Sequence, residues 1–212
     1  MPAETLQELF VEELRDMYDG EKRLIRALPQ MANAATSEEL STAFRRHLAE
    51  TERQATRLEQ IFRSLGETVR GKKCDGIIGI VEEGKTAIEE LDGAVLDAAL
   101  IGGAQKVEHY EIASYGTLAY FAELLGHDRA KALLGETLAE EKATDAKLSE
   151  LAKSRVNREA LLGAGSQEEE EEEEDVTAAP RRGRTTRGST TARGTTGARR
   201  SGGTRRRAGK KR

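Results

Sequence analysis

The sequence predicts an all-α protein: an antiparallel four-helix bundle with one long crossover that contains an extra short helix. Apolar side chains recur three and four residues apart over several long segments, which is the pattern of amphipathic helices. Ala, Leu, Glu, Lys and Arg dominate these segments and Trp is absent, so the composition favours helices over strands. The long segments also form two pairs joined by short turns, and the helices of such a pair must run antiparallel.

The first pair of helices is expected over residues 4–34 and from Thr36 to about Leu65. Leucine and phenylalanine side chains keep the helical spacing through both segments. Pro29 falls inside the first helix, where we expect its ring to kink the axis. Thr36 and Glu39 have the spacing of a capping box, which predicts that Thr36 caps the second helix.

The second pair follows a polar, glycine-containing crossover loop over residues 66–75. A shorter helix is predicted over residues 76–91, and the third long helix over residues 94–125. Gly126 begins a turn, and the fourth long helix is predicted from there to about Lys153. A crossover of this length is what a bundle with one long connection requires.

Charge divides the chain into three blocks, although the net charge of the whole is only −4. We predict a helical bundle domain over residues 1–162, with a net charge of −9. An acidic disordered linker is predicted over residues 163–180, and a basic Arg/Gly/Thr-rich disordered tail over residues 181–212. The last two blocks have too few apolar residues to form a core of their own.

The basic tail carries thirteen cations and no acid. These cations are Arg181, Arg182, Arg184, Arg187, Arg193, Arg199, Arg200, Arg205, Arg206, Arg207, Lys210, Lys211 and Arg212. Tails of this kind bind phosphate backbones through charge, so we predict non-specific binding of nucleic acid. No Phe or Tyr lies between the arginines, and base stacking is therefore not indicated. A tail that only keeps the protein in solution is the alternative.

Several carboxylates lie within apolar helical stripes. Glu108 and Glu111 are three residues apart and therefore share a helix face. Glu21 and Glu141 also have apolar neighbours one turn away on both sides, whereas Glu50 lies on the flank of its stripe. A carboxylate that faces a core must be protonated, paired or bound to a metal, so the set predicts a functional site.

The heights of these acids along the bundle agree with one another. Glu21 and Glu50 lie almost equally far before and after the first turn, and Glu111 and Glu141 lie equally far from the second. Glu108 falls one helical turn away. Carboxylates that converge in one layer would hold one or two divalent metal ions. For Glu50 alone, a solvated helix face explains the sequence equally well.

Four segments resemble the YciF-like branch of the bacterial ferritin-like proteins. They are YDGEK at 18–22, HLAET at 47–51, QKVEHYEIASYG at 105–116 and EEKATD at 140–145. The resemblance runs from about Leu6 to Leu151, and its third segment is highly specific. It implies a ferritin-like, rubrerythrin-like bundle that is often a homodimer and is associated with stress responses. It also implies metal ligation by Glu21, Glu50, Glu108, Glu111 and Glu141.

The sequence departs from the usual ferritin-like di-iron pattern, which has a Glu-x-x-His motif on the second and fourth helices. The two histidine positions of that motif are Arg53 and Thr144 here. A site without imidazole would be all oxygen, which favours iron or manganese. Gln54 and Asp145, each one turn from a carboxylate, are candidate additional ligands. His47, one turn before Glu50, is a candidate ligand or hydrogen-bond partner of the ligands.

The sequence therefore leaves two candidate functions for this protein. The first is a di-metal carboxylate protein of the stress response, with iron or manganese, that handles peroxide or dioxygen as an oxidoreductase if it is an enzyme at all. The second is a non-catalytic helical stress protein without a working metal site, whose tail binds DNA or RNA. No phosphate-binding glycine loop, nucleophile elbow or Cys-x-x-Cys motif is present, so nucleotide and hydrolase chemistry ranks low.

The environment of the protein is predicted from what the chain lacks. No run approaches the roughly 20 apolar residues of a membrane span, and the first residues lack a secretion signal. We expect a cytoplasmic protein, associated with the nucleoid if its tail binds DNA. Cys74 is the single cysteine, and we expect it to be a small, half-buried residue beside a turn.

Overall fold

The computed structural model describes residues 3–163, and these residues are helical throughout except for the connections. The helices are α1 (Leu6–Ala34), α2 (Glu38–Ser64), α3 (Asp75–Glu90), α4 (Gly93–Leu124) and α5 (Asp128–Leu151). A π-helical segment, Ala152–Val156, continues α5, and α-helix follows over residues 157–163. The all-α fold class is confirmed. The predicted acidic linker, apart from its first residue, and the whole basic tail lie outside the described residues, so the division into three blocks stays a prediction.

Helices α1, α2, α5 and α4 form the four sides of the bundle, and α3 lies against α1 and α4. Asp97, near the start of α4, contacts Thr36 in the turn between α1 and α2. At the opposite end, Nε2 of His127 lies 2.8 Å from Oε1 of Gln7, near the start of α1. Helix α4 therefore runs antiparallel to α1 as well as to α5, with the crossover and α3 on one side of the bundle.

The N-cap of α2 differs from the prediction. Thr36 does not cap α2, because its backbone N–H and its hydroxyl both donate to Asp97, at 2.8 and 2.6 Å. Ser37 is the cap instead, and its Oγ accepts from the backbone N–H of Leu40 at 3.3 Å. The capping box predicted at Thr36 and Glu39 was therefore wrong. The buried Asp97 holds the turn between α1 and α2 against α4.

Hydrogen bonds and close packing hold the first turn of helix α3 against the bundle. Cys74 is at its N-cap position and is fully buried, more deeply than expected, with Sγ 3.4 Å from the hydroxyl of Tyr110. The backbone N–H of Cys74 donates to Asp19 on α1 at 2.9 Å. Gly76 is required here, since a Cβ at this position would lie 2.5 Å from the ring of Tyr110. Ile77 is the one side chain of α3 that is buried.

The interior consists of two apolar clusters with polar side chains between them. The upper cluster, near the turn between α1 and α2, includes Leu24, Leu28, Leu40, Phe44, Leu100 and Leu148. The lower cluster, near the turn between α4 and α5, includes Phe10, Leu14, Leu58, Phe62, Leu118 and Leu134. The polar layer between them contains the buried side chains of Glu21, His47, Thr51, Gln54, Glu108, Glu111 and Glu141.

None of the described helices combines the length and the apolar character that crossing a membrane requires.

Candidate metal centre

All four long helices contribute to the polar layer at the same height. On α1, Glu21 lies between Met17 of the lower cluster and Leu24 of the upper cluster. On α5, Glu141 lies between Leu134 and Leu148 in the same way. Residues three, four and seven apart share a helix face, so the periodicity that buries the leucines also buries these carboxylates.

Four of these side chains converge closely enough to share one ion. His47, Glu108, Glu111 and Glu141 each offer one ligand atom, and the four atoms all lie within 4.8 Å of one another. Nε2 of His47 is 3.1 Å from Oε1 of Glu108. The donor set is therefore one imidazole and three carboxylates, from α2, α4 and α5. We call these four side chains the donor cluster.

The donor cluster leaves buried oxygen atoms without hydrogen-bond partners. Glu108 uses Oε1 for His47, but its Oε2 has no partner. Oε1 of Glu111 and Oε2 of Glu141 are also buried and unpartnered. Leaving a buried polar atom unpaired costs on the order of 1–3 kcal/mol, and more if it is charged. These atoms are therefore positioned for a partner other than a protein side chain.

Protein donors hold one oxygen each of Glu21 and Glu141. The hydroxyl of the fully buried Tyr115 donates to Oε1 of Glu21, whose Oε2 has no partner. The amide Nε2 of Gln54 donates to Oε1 of Glu141. Glu21, Glu108 and Glu141 thus follow one pattern, in which one carboxylate oxygen is held by a neighbouring side chain and the other is free.

Burial changes the protonation of these carboxylates. Burial raises the pKa of Glu21 to about 8, although the hydrogen bond from Tyr115 acts in the opposite direction. Burial and the charge of Glu108 raise the pKa of Glu141 to about 10. Burial and the charge of Glu21 raise the pKa of Glu111 well above its usual range. At neutral pH the metal-free layer therefore holds protons that a cation would displace.

The pKa of the His47 imidazole is raised as well. Burial alone would lower its pKa, but the contacts with Glu108 and Glu50 outweigh burial and raise the pKa to about 10. In the metal-free protein His47 is therefore a cation paired with carboxylates. Loss of its proton would free Nε2 as a metal ligand, which is the usual form of a ligating histidine.

The residues fit a divalent metal ion. Unpartnered buried carboxylate oxygens and a single imidazole are suited to iron or manganese and lack the thiolates that softer metals prefer. Every ligand of the set is buried, so water is excluded from at least part of the coordination sphere. A bound divalent cation would compensate the negative charge that the layer otherwise neutralises with protons.

Glu50 lies beside the donor cluster rather than within it. Its Oε1 is 3.2 Å from Nε of Arg46, and its Oε2 is 3.7 Å from Nδ1 of His47. The side chain is 16% exposed, and its contact with His47 lowers its pKa. Glu50 thus pairs with cations at the rim of the site, and its role as a ligand stays a prediction.

The two candidate additional ligands have different positions. Gln54 lies in the polar layer, with its amide nitrogen on Glu141 and its Oε1 buried and unpartnered. Asp145 faces away from the layer and accepts from Nε2 of Gln105 at 3.0 Å, with His109 at 3.4 Å. As metal ligands, all the predicted residues stay predictions.

Sequence reasoning missed two features of the site. It gave Tyr115 no role in the site, although Tyr115 lies on the same helix face as Glu108 and Glu111 and can donate a hydrogen bond. It placed His47 second to Glu50, although the structure brings His47 into the cluster. The described site therefore includes an imidazole, which His47 supplies from an earlier turn of α2 than Arg53.

The fold and the site define a class: helical bundle proteins with a buried cluster of imidazole and carboxylate side chains at mid-height. Residues 5–161 match the family model described as a domain of unknown function, DUF892, and the chain belongs to that family. It is 49% identical over 162 residues to protein YciF of Escherichia coli strain K12, covering 76% of this chain and 98% of that protein.

Solved structures support the same assignment. The crystal structure of the E. coli stress protein YciF has a TM-score of 0.71 at 49% identity, covering 73% of this chain and 99% of that chain. YcfI from Rhodopseudomonas palustris has a TM-score of 0.67 at 46% identity, over 69% and 94%. A protein from Xanthomonas campestris pv. campestris, at 21% identity and a TM-score of 0.57 over 78% and 99%, shares the fold. The predicted YciF family membership is confirmed, and the rubrerythrin-like character stays a prediction.

The thirteen cations of the predicted basic tail lie outside the described residues. Binding of nucleic acid through residues 181–212 therefore stays a prediction, as does the homodimer.

Proposed function

We propose that this chain is a di-metal carboxylate protein of the bacterial stress response, which binds iron or manganese and handles peroxide or dioxygen. The observation that carries the proposal is the donor cluster: four ligand atoms within 4.8 Å of one another, on buried side chains whose carboxylates have unpartnered oxygens. Buried and strongly perturbed ionisable groups of this kind are associated with functional sites.

A purely structural role explains the donor cluster less well. Buried ion pairs stabilise a fold only when their remaining hydrogen-bonding atoms are satisfied, and here they are not. His47 can compensate one negative charge, while three carboxylates of the cluster and Glu21 share the layer. Apolar side chains of similar volume would give a more stable core. The retained carboxylates therefore point to a bound cation.

The number of ions depends on residues beside the donor cluster. His47, Glu108, Glu111 and Glu141 supply four donors, which is enough for one ion with space for exogenous ligands. A second ion would use the free Oε2 of Glu21, whose charge already acts on Glu111. We expect up to two ions per chain.

The chemistry follows from the metals that the donor set suits. Bound iron or manganese would supply electron transfer to peroxide or dioxygen. The protein residues would hold the ion, exclude bulk water and keep Glu21 oriented through Tyr115. One relative, YciF of E. coli, is described as a stress protein, which fits an oxidant-handling role for this chain.

Metal content tests the proposal. The full-length chain, purified without chelator or affinity tag, would be compared by elemental analysis with a Glu108→Gln, Glu141→Gln double variant after exposure to Fe²⁺ or Mn²⁺. We expect one to two equivalents of metal in the parent and a large loss in the variant. Peroxide and dioxygen consumption by the loaded parent would then be measured.

A matched double variant, Glu52→Gln with Glu150→Gln, controls for the loss of two negative charges, because both residues are exposed helix positions. It should bind metal as the parent does. A folded parent that takes up neither ion would contradict the proposal, and so would equal binding by the parent and the Glu108, Glu141 variant.

A further inference from the structure

We propose that Arg57, which lies outside the donor cluster, positions the metal ligand Glu141 through a chain of hydrogen bonds that runs over Glu140 and Gln54. This inference rests on the proposed function, since it concerns how the same site is held ready for an ion. Arg57 is on α2, and both carboxylates are on α5, so the chain of contacts also joins the two helices.

The first contact is a two-point ion pair. Nη1 of Arg57 donates to Oε2 of Glu140 at 2.6 Å, and Nη2 donates to Oε1 at 2.8 Å. The side chains of Arg57 and Glu140 are only 16% and 25% exposed. Arginine pairs that engage both carboxylate oxygens are strong and geometrically specific. Glu140 is therefore held in one orientation, unlike a typical mobile surface acid.

The second contact fixes the amide of Gln54. Its Nε2 donates to Oε2 of Glu140 at 3.1 Å and also to Oε1 of Glu141. An amide NH₂ has two hydrogens, and both are used by carboxylates here. The reverse orientation would place the amide oxygen against the ionised carboxylate of Glu140. The ion pair of Arg57 with Glu140 therefore determines that Gln54 presents its donors, and not its oxygen, to Glu141.

The orientation of Gln54 determines which oxygen of Glu141 can bind an ion. Because Oε1 of Glu141 is occupied by Gln54, its unpartnered Oε2 is the oxygen available to an ion. Glu141 would thus ligate through one oxygen in a fixed direction. Hydrogen-bond partners of metal ligands commonly contribute a factor of about 10–100 in metal affinity. Arg57 would have the same effect without contacting Glu141 directly, because it acts through Glu140 and Gln54.

A surface ion pair of the same helix provides the matched control. Nη2 of Arg63 lies 2.9 Å from Oε2 of Glu59, but Arg63 is 64% exposed and the pair has no link to the polar layer. Replacing Arg57 or Arg63 by Met removes the same charge from α2. Only the Arg57→Met change interrupts the path to Glu141.

Metal titration of the full-length chain is the test. Mn²⁺ affinity would be measured by competition with a fluorescent chelator for the parent, Arg57→Met, Arg63→Met, Gln54→Leu and the Arg57→Met, Gln54→Leu double variant. We expect Arg57→Met and Gln54→Leu each to weaken binding about 10–100-fold, and Arg63→Met to leave it unchanged. The double variant should lose little more than either single variant, because both act on one chain of contacts.

A second readout separates ligand positioning from a general effect on the fold. The visible spectrum of bound Co²⁺ reports the ligand arrangement, and it should change in Arg57→Met and Gln54→Leu but not in Arg63→Met. If Arg57→Met does not fold, as judged by circular dichroism, Glu140→Gln takes its place with the same expectations.

The outcomes distinguish the two proposals. A parent that binds no Mn²⁺ and no Co²⁺ contradicts the metal function itself. A parent that binds both ions, with Arg57→Met matching it in affinity and in Co²⁺ spectrum, overturns the role of Arg57 and leaves the metal function standing. Fully additive losses in the double variant would also overturn the chain of contacts.

Discussion

The polar layer and the two apolar clusters lie on the same four helices and are equally buried, yet they contribute to the fold in opposite ways. The clusters exclude water from leucine and phenylalanine side chains, which is the main stabilising contribution to folding. The layer removes carboxylates from water without satisfying all their oxygens. In the metal-free protein the clusters therefore hold together a layer that by itself opposes folding.

The largest effect that would test this comparison is expected in the lower cluster. Phe62 is fully buried and packs edge-on against Tyr18, with ring centroids 6.0 Å apart. Phe62→Ala should lower the free energy of unfolding by about 3–5 kcal/mol, because it removes apolar contacts and leaves a cavity. Urea denaturation of the metal-free protein measures this. Tyr120→Ala is the control, since Tyr120 is 59% exposed, and a similar loss there would contradict the explanation.

A smaller effect is expected when metal fills the polar layer. A ligand that binds only the folded state stabilises it by about 2.7 kcal/mol at a hundred times its dissociation constant. Mn²⁺ at that excess should raise the free energy of unfolding of the parent accordingly, and EDTA should reverse the gain. The Glu108→Gln, Glu141→Gln variant should show no gain. An equal gain in that variant would place the binding site elsewhere.

The pH dependence should distinguish the layer from the clusters. The pKa of Glu21 is raised from 4.5 to about 8, that of Glu141 from 4.5 to about 10, and that of His47 from 6.5 to about 10. A group with a raised folded pKa binds its proton more tightly when folded, so its contribution to stability is lost as pH rises. The metal-free protein should therefore become less stable between about pH 5 and pH 10.

Glu141→Gln isolates one part of that dependence. The amide is neutral at every pH, so the variant should be more stable than the metal-free parent at pH 8 by on the order of 1–3 kcal/mol. The difference should vanish near pH 4, where the parent carboxyl is protonated in both states. Thermal unfolding across this pH range measures it. A difference that does not depend on pH would mean that packing, not charge, separates the two proteins.

The smallest effect is expected at the surface, which sets the baseline for the comparison. Lys147 and Glu150 form an ion pair with side chains 53% and 69% exposed. Exposed pairs of this kind contribute about 0–1 kcal/mol, so Lys147→Ala should change the free energy of unfolding by less than about 0.5 kcal/mol. A loss of several kcal/mol there would show that exposed charge pairs, and not the apolar clusters, control stability.

The fold could be predicted from sequence because its signals are local. The spacing of apolar residues located all five helices to within a few residues, and the two short turns required antiparallel pairs. The cap of α2 could not be predicted, because Asp97 lies about sixty positions further along the chain and competes for Thr36. The residues around Thr36 do not indicate a contact with a residue so far along the chain.

Members of the candidate site could be predicted from sequence where a carboxylate lies within an apolar helical stripe, because that pattern alone predicts its burial. Glu108, Glu111 and Glu141 lie in the middle of apolar stripes, and the structure brings them together. The choice between His47 and Glu50 was not predictable, because the two are three residues apart on nearly the same face of α2. A modest rotation of α2 about its axis determines which of them enters the cluster, and the sequence does not specify that rotation.

Helix α3 differs from its neighbours in a way that bears on local unfolding. It spans Asp75–Glu90, yet Ile77 is its one buried side chain, and later residues such as Ile80 and Ile88 pack against the upper cluster while only partly buried. Segments with few buried contacts open at free energies well below that of global unfolding. Amide hydrogens in the last turns of α3 should therefore exchange with solvent long before those of α1 and α4. Such opening would uncover the flank of the upper cluster while the polar layer stays intact.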